Sequence, residues 1–441
     1  MFKTIRNAWS IPDLRKKILF TLLIIVLFRV GSVIPVPFLD MQALSEAMKP
    51  LTQVGAEGAD SFLAYMNTMS GGALANATIF AMGITPYINS SIIMQLLCVA
   101  IPPLERLSKE GEDGRKKIAT ITRYVTVILG LVQGTAFFFY LKASGIVKTE
   151  SVSMLFAAIV IILCFTAGTA LIMWLGEQIN KKGIGNGISM LLFAGIIARL
   201  PYTVDILVTY FRGGLAEGAS RAVLFTIPIW VVLFLAVIWI ITFMQDAERR
   251  LPVQYAKKVV GRKMYGGQST HLPIKVTLGG VMPIIFASSI LSIPSTITMF
   301  WEPEAGGFWA GFFEALSPTG WLYSVLYFLL ILMFAYFYTA IQYNPIEMAN
   351  NLKQNNGTIP GIRPGRPTAD FIAKILSRIT LIGALFLALI AILPIVYSSA
   401  TNLQGLSMGG TSVIIIVGVA LDTVKQLESQ MMMRHYKGFL D

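Results

Sequence analysis

Charge is scarce in this chain. Asp, Glu, Lys and Arg make up 13% of its 441 residues, where soluble domains carry about a quarter, so its surface could not cover its apolar mass against water. A soluble multidomain enzyme is thereby excluded. Histidine is scarcer still. His271 and His435 stand alone, away from any carboxylate cluster or second histidine at ligand spacing, so a zinc site or a His-dependent triad lacks raw material and no cofactor is expected. The two cysteines, Cys98 and Cys164, lie inside apolar runs, where a thiol packs as a small hydrophobe, and neither a disulfide nor a metal role is expected of them. There is no phosphate-binding loop either: Gly183-Ile-Gly-Asn-Gly187 has the wrong spacing and no Lys-Ser/Thr, and reads as a turn that opens a helix.

What the chain has in abundance is long apolar runs. Hydrophobic residues make up 55% of it and its mean hydropathy is +0.69. A bilayer core about 30 Å thick takes roughly 20 apolar residues per helix. That ruler finds ten runs, at 18–36, 74–101, 118–141, 152–175, 187–207, 222–244, 273–297, 321–343, 372–396 and 408–426. The first ends in Val33-Ile-Pro-Val-Pro37 without a small-residue cleavage site, so it reads as a retained helix.

Basic residues orient the runs. With the amino terminus inside, the inner segments hold 28 Lys and Arg against 13 Asp and Glu, and the outer ones six against ten. The inner face then carries +15 and the outer face −4, and an even number of helices leaves both termini in the cytoplasm. Of the net +12, topology and anionic lipid account for most, so direct nucleic-acid recognition is not expected. They do not account for two inner loops far longer than a hairpin needs, 245–272 and 344–371. Leu251-Pro-Val-Gln-Tyr255 alternates as a strand or hairpin would, which puts Lys257, Lys258, Arg262 and Lys263 near its tip. In the other loop Gly357-Thr-Ile-Pro-Gly-Ile-Arg-Pro-Gly365 stiffens the backbone around Arg363 and holds it forward. These loops are either a docking surface for a cytoplasmic partner or a solvated fringe facing lipid.

Between the first two runs, residues 60–72 are too short to cross. Phe62, Tyr65, Met66 and Met69 share one helical stripe, Asp60 or Ser61 can cap its start, and Gly71-Gly72 can end it. The segment is a surface helix or a re-entrant one, and its paired glycines suggest a hinge. Inside the membrane no run places Asp or Glu near its centre, and Arg29 is expected to snorkel to the outer interface. An ion-coupled secondary solute transporter, which needs titratable groups at the midplane, is therefore the alternative reading, not the first. Ile84 and Ile88 lie one turn apart, as do Leu192 and Ile196. From periodicity alone these are packing residues. Pro86 is expected to kink or loosen its turn.

Five motifs, in order over essentially the whole chain, resemble the SecY family, the central subunit of bacterial protein-conducting channels. They are Phe28-Arg-Val-Gly-Ser-Val-Ile-Pro-Val-Pro37, Gly83-Ile-Thr-Pro-Tyr-Ile-Asn-Ser-Ser-Ile-Ile-Met-Gln-Leu-Leu97, Gly183-Ile-Gly-Asn-Gly-Ile-Ser189, Ala256-Lys257 continuing to Gln268-Ser-Thr-His-Leu-Pro273, and Pro360-Gly-Ile-Arg-Pro-Gly365. The resemblance implies an all-α integral membrane protein with ten transmembrane helices in two pseudo-symmetric five-helix halves, an inverted repeat. The halves fall at 1–207 and 222–441, with an outer hinge at 208–221. It implies a protein-conducting channel with a pore ring at Ile84, Ile88, Leu192, Ile196, Ile285 and Ile415, where leucine at 192 departs from the commoner isoleucine. It makes 60–72 a plug helix under that ring, built on Phe62, Tyr65, Met66, Met69, Gly71 and Gly72. It implies a lateral gate in which Ser90, Ser91 and Gln95 face Ser288, Ser289 and Ser292. The implied partners are SecE and SecG in a heterotrimer, the SecA ATPase or the ribosome on Lys257, Lys258, Arg262, Lys263 and Arg363, signal peptides and nascent chains, and membrane lipid, with ribosomal RNA the one nucleic acid within reach. The implied location is the bacterial plasma membrane.

Overall fold

The computed structural model describes residues 2–48, 62–148, 153–214, 222–255, 258–260, 263–265, 269–298, 307–316, 321–401 and 410–437. Helices dominate. In the first half of the chain they are α1 (Phe2–Ser10), α2 (Pro12–Gly31), α3 (Met41–Ala47), α4 (Phe62–Met69), α5 (Thr85–Ala100), α6 (Pro102–Lys109), α7 (Glu112–Ala143), α8 (Met154–Lys182), α9 (Gly187–Ala198), α10 (Leu200–Gly214) and α11 (Ala222–Asp246). Strands β1 (Glu248–Tyr255), β2 (Lys258–Val260), β3 (Lys263–Tyr265) and β4 (Ser269–Lys275) follow. The chain continues as α12 (Met282–Thr298), α13 (Phe308–Ala315), α14 (Trp321–Gln342), α15 (Pro345–Gln354), β5 (Gly357–Thr358), α16 (Arg366–Thr401) and α17 (Gly410–Lys437).

Local chemistry explains the boundaries. Prolines sit in the first turns of α2, α5, α6 and α15, where their missing N–H costs nothing. Asn186 caps α9 and Asn344 caps α15, each side chain accepting from two backbone N–H groups. Asp40 does the same for α3, and the Gln42 N–H it accepts from holds its carboxyl below the usual range.

Among the described residues six helices are long and apolar enough to cross a membrane: Glu112–Ala143, Met154–Lys182, Gly187–Thr209, Ile227–Asp246, Leu322–Gln354 and Arg366–Tyr397. Thr85–Ala100 with Pro102–Lys109, bent by 102°, makes a seventh if counted as one span. Their outward rows, Leu155, Val232, Trp239 and Leu389 among them, are exposed and apolar, as lipid requires.

A helix occupies part of each of the ten apolar runs, with three departures from the run lengths. The run 74–101 becomes helical only at Thr85. Before it, residues 73–84 fold into turns and pair with the segment after α2, through Val36 N–H to Ala77 O and Ile79 N–H to Ile34 O. Gly83 has φ +58, outside helical backbone, and the helix starts just after it with Pro86 in its first turn, so Pro86 opens α5 instead of kinking it. Residues 273–275 of the seventh run are the end of β4, with α12 beginning at Met282. In the outer hinge, 208–214 continue α10 as helix, while 215–221 lie outside the described residues.

The largest core cluster joins side chains of α2, α5, α8, α9, α11, α12, α14, α16 and α17. A second, containing Val36, Leu44, Met66, Phe137 and Phe165, packs the outer segments around α3 and α4. Between α7 and α8, Arg123 Nε and Nη2 donate to Glu177 Oε1 and Oε2 at 2.6 and 2.8 Å. At the amino-terminal end, Ala8 and Leu14 pack with Ile184 and Leu427, and Thr4 donates to Glu428 at 2.9 Å, so α1 straps across the end of α17.

Candidate functional site

Four helices contribute six aliphatic side chains to the largest core cluster or to its margin. Ile84 stands at the N-cap of α5 and Ile88 one turn on, the Ile88 N–H donating to the Ile84 carbonyl. Leu192 and Ile196 come from α9, Ile285 from α12 and Ile415 from α17. Ile84, Leu192, Ile196 and Ile415 are buried in the largest cluster, and Ile88 and Ile285 pack half-buried against it. Leucine at 192 occupies its place as an isoleucine would, 3% exposed. Periodicity alone reads these residues as packing. Their association with one cluster from distant parts of the chain is visible only in three dimensions.

The short helix α4 joins two cores. Met69 belongs to the cluster of the aliphatic six, and Met66 to the outer cluster. Asp60 and Ser61 lie outside the described residues, as do the side chains of Phe62 and Tyr65. The helix ends as the glycine pair requires: the Gly72 N–H donates to Asn67 O at 2.8 Å and the Gly71 N–H to Thr68 O at 3.1 Å, with φ +70 at Gly71 and +91 at Gly72. This is a Schellman turn, closed through left-handed backbone that a side chain would strain. Its outer surface meets α9 without a gap, since a Cβ on Gly195 would stand 2.8 Å from the Met69 carbonyl oxygen.

Arg29 is half-buried, and its Nη1 donates to the Gly71 carbonyl at 3.3 Å, an acceptor that a guanidinium in an apolar stretch needs. The sequence carries no signal for this contact, 42 residues apart.

Of the gate residues, α5 and α12 do pack together, but Ser90 departs from its expected partners. It is fully buried and its hydroxyl donates to the Thr122 carbonyl of α7 at 2.7 Å. One turn of helix leaves only part of α5 facing α12, and Ser90 falls on the opposite part. Ser91 accepts from Gln95 Nε2 at 3.4 Å, and Ser288 donates to the Ile285 carbonyl at 3.0 Å. Ser289 is half-buried on α12, and the side chain of Ser292 lies outside the described residues.

Within 245–272 the described strands pair in two antiparallel ladders. β1 pairs antiparallel with β4, from Glu248 opposite Lys275 to Gln254 opposite Ser269. β2 and β3 form a separate two-stranded sheet, with Lys258 opposite Tyr265 and Val260 opposite Lys263. Lys258 and Lys263 therefore flank the tip. Lys257 and Arg262 lie outside the described residues. The second loop joins the first: β5 adds to β1, with Gln254 opposite Thr358, making one three-stranded sheet in the order β4-β1-β5. Leu251, Ile274 and Ile359 bury its underside against Ile372, Leu376 and Ile379 of α16. Arg363 stays exposed between Gly361 and Gly365, both left-handed, and its carbonyl is fixed by the Thr368 hydroxyl at 2.8 Å. Two separated loops thus contribute to one three-stranded sheet packed on α16.

Fold and site define a multi-pass helical membrane protein. The SecY family model matches residues 78–424. The chain is 45% identical to the protein translocase subunit SecY of Halalkalibacterium halodurans over 449 residues and 44% identical to that of Streptomyces galbus over 454, with full coverage on both sides in each case. Among solved structures, one of a protein-conducting channel and one of a SecY channel whose plug domain stabilises the closed state and maintains a membrane seal each align with a TM-score of 0.65 at 18% identity, over 97% of both chains. A channel from the canine ribosome-channel complex of the endoplasmic reticulum aligns with a TM-score of 0.60 at 17% identity over the same share. The chain belongs to the SecY family of protein translocase subunits. It is a protein-conducting channel, not an enzyme, and the solute-transporter alternative falls away.

Proposed function

We propose that the aliphatic six form the pore ring of a ten-span channel whose halves are 1–207 and 222–441, with α4 as its plug. A passage for arbitrary unfolded chains can bind no side chain tightly, so a charged or hydrogen-bonding filter would trap some of its cargo. An aliphatic constriction dewets when empty and yields when filled. The observation that carries this reading is that Ile84, Leu192, Ile196 and Ile415 belong to one core cluster, with Ile88 and Ile285 packed against it, and that the same cluster contains Met69 of α4.

The remaining roles follow from position. A gate between α5 and α12 releases apolar segments into lipid, with Ser91, Gln95, Ser288, Ser289 and Ser292 along the seam and Ser90 holding α5 to α7. The sheet platform, with Lys257, Lys258, Arg262, Lys263 and Arg363, docks SecA or the ribosome, which supply the driving force. SecE and SecG complete the complex in a bacterial plasma membrane, with both termini cytoplasmic. A stalled secretory chain should cross-link to a photoreactive residue placed at 84 or 88. Cross-links that appear only at lipid-facing positions such as Leu155 would return the six to simple packing.

A further inference from the structure

Arg29 is the one charged residue in the apolar stretch 18–31 of α2. A guanidinium at that depth is costly unless its donors find acceptors. Among the described residues none of the ion pairs includes it. Its acceptor is the Gly71 carbonyl, 3.3 Å from Nη1. The Schellman turn uses the Gly71 and Gly72 N–H groups internally, which leaves that carbonyl directed outward at the negative end of α4, where a cation is favoured.

The seat has no slack. A Cβ on Gly71 would lie 2.6 Å from Arg29 Nη1 and 2.9 Å from the Gly195 carbonyl oxygen. Gly195 immediately precedes Ile196 of the aliphatic six. Arg199, on the other flank of the turn, stands 4.5 Å over the Tyr202 ring and so has a partner of its own. The seat is also incompletely satisfied: Asn67 of α4 is fully buried, its Oδ1 accepting from the Ala75 N–H at 3.0 Å while Nδ2 has no partner among the described residues. An unpaired buried amide favours departure of the helix, so a single added bond can decide where α4 rests.

We propose that Arg29 is a positioning residue for the plug. Its bond to the Gly71 carbonyl holds α4 against Gly195 beneath the constriction, and that bond breaks before α4 leaves. Displacement of α4 opens the outer side to water, which then hydrates the guanidinium, so the contact works as a reversible latch. The inference rests on the reading of α4 as plug and of the aliphatic six as seal.

Two measurements on the complete translocase test it. In planar bilayers, Arg29→Met should raise resting ion conductance about tenfold, the effect of one lost charge-assisted hydrogen bond, with Arg29→Lys closer to wild type. In a Cys98→Ser/Cys164→Ser background, Ser70→Cys, buried beside the turn, should react faster with a membrane-impermeant maleimide added from the outer side when Arg29 is Met. Should Arg29→Met fail to accumulate, Arg29→Gln serves in its place. Wild-type labelling rates in both neutral variants would overturn the latch, whatever the conductance. An Ile88→Asn/Ile415→Asn channel as tight as wild type would instead overturn the seal on which the inference rests.

Discussion

Arg123 and Glu177 join α7 to α8 through two parallel bonds, Nε to Oε1 at 2.6 Å and Nη2 to Oε2 at 2.8 Å. The pair is lopsided, with the arginine side chain 41% exposed and the glutamate 20%. An unpaired arginine there can take up water, whereas an unpaired glutamate is largely cut off from it. Arg123→Met should therefore destabilise the protein by about 2 kcal/mol, and Glu177→Gln by less. Unfolding midpoints in detergent give the order, and a larger loss for Glu177→Gln would contradict it.

Docking can be separated from insertion at Arg363. Positive-φ glycines on both sides and the Thr368 bond hold this residue out from a sheet platform that is itself anchored on α16. Reversing its charge should leave the fold untouched, since the side chain is exposed. Arg363→Glu should impair SecA-driven transport of a secretory protein into inverted vesicles while membrane insertion of the channel itself stays normal. Undiminished transport would remove Arg363 from the docking surface.

The proposed pore ring makes a prediction of opposite kind, a gain of conductance. Asparagine at 88 and 415 places hydrogen-bonding groups where dewetting needs an apolar wall. Ile88→Asn with Ile415→Asn should raise the resting conductance of purified channels severalfold, and Leu192→Ile should leave it unchanged. Conductance equal to wild type in the double variant would mean that these residues only pack.

Residues 245–272 and 60–72 show what could be read from the chain. The alternation Leu251-Pro-Val-Gln-Tyr255 is a local signal of period two, and β1 with its partner β4 appears where that signal lies. Gly71-Gly72 is likewise a local demand for left-handed backbone, and a Schellman turn answers it. Contacts between distant segments left no such trace. β5 adds to β1 through backbone bonds, which any sequence can make. Residues 73–84 are apolar enough for a helix, yet the Ala77 carbonyl and the Ile79 N–H bond to the 34–36 segment and the intervening bonds are local turns. The acceptor of Arg29, the Gly71 carbonyl, belongs to the main chain of another element, so no side-chain pattern signals that contact. Ser90 was assigned by family position to α12, while its rotational setting on α5 turns it to Thr122.

Glycines on two helices look alike in the sequence and should behave in opposite ways. At Gly168, midway along α8, an added Cβ would collide with the Ile79 carbonyl oxygen and stand 2.8 Å from its carbon. That carbonyl is main chain, within the turns that connect α4 to α5, and cannot rotate aside as a side chain would. Gly168→Ala should cost about 1–3 kcal/mol, the range for overpacking a closed interior. It should also loosen the approach to α5. At Gly311, in the exposed α13, a Cβ would meet nothing within 4 Å, so Gly311→Ala should stabilise by about 0.5–1 kcal/mol through helix propensity alone. Unfolding midpoints of the two variants, compared side by side, decide the matter. A Gly168→Ala protein as stable as wild type would mean that α8 does not lie against the Ile79 backbone.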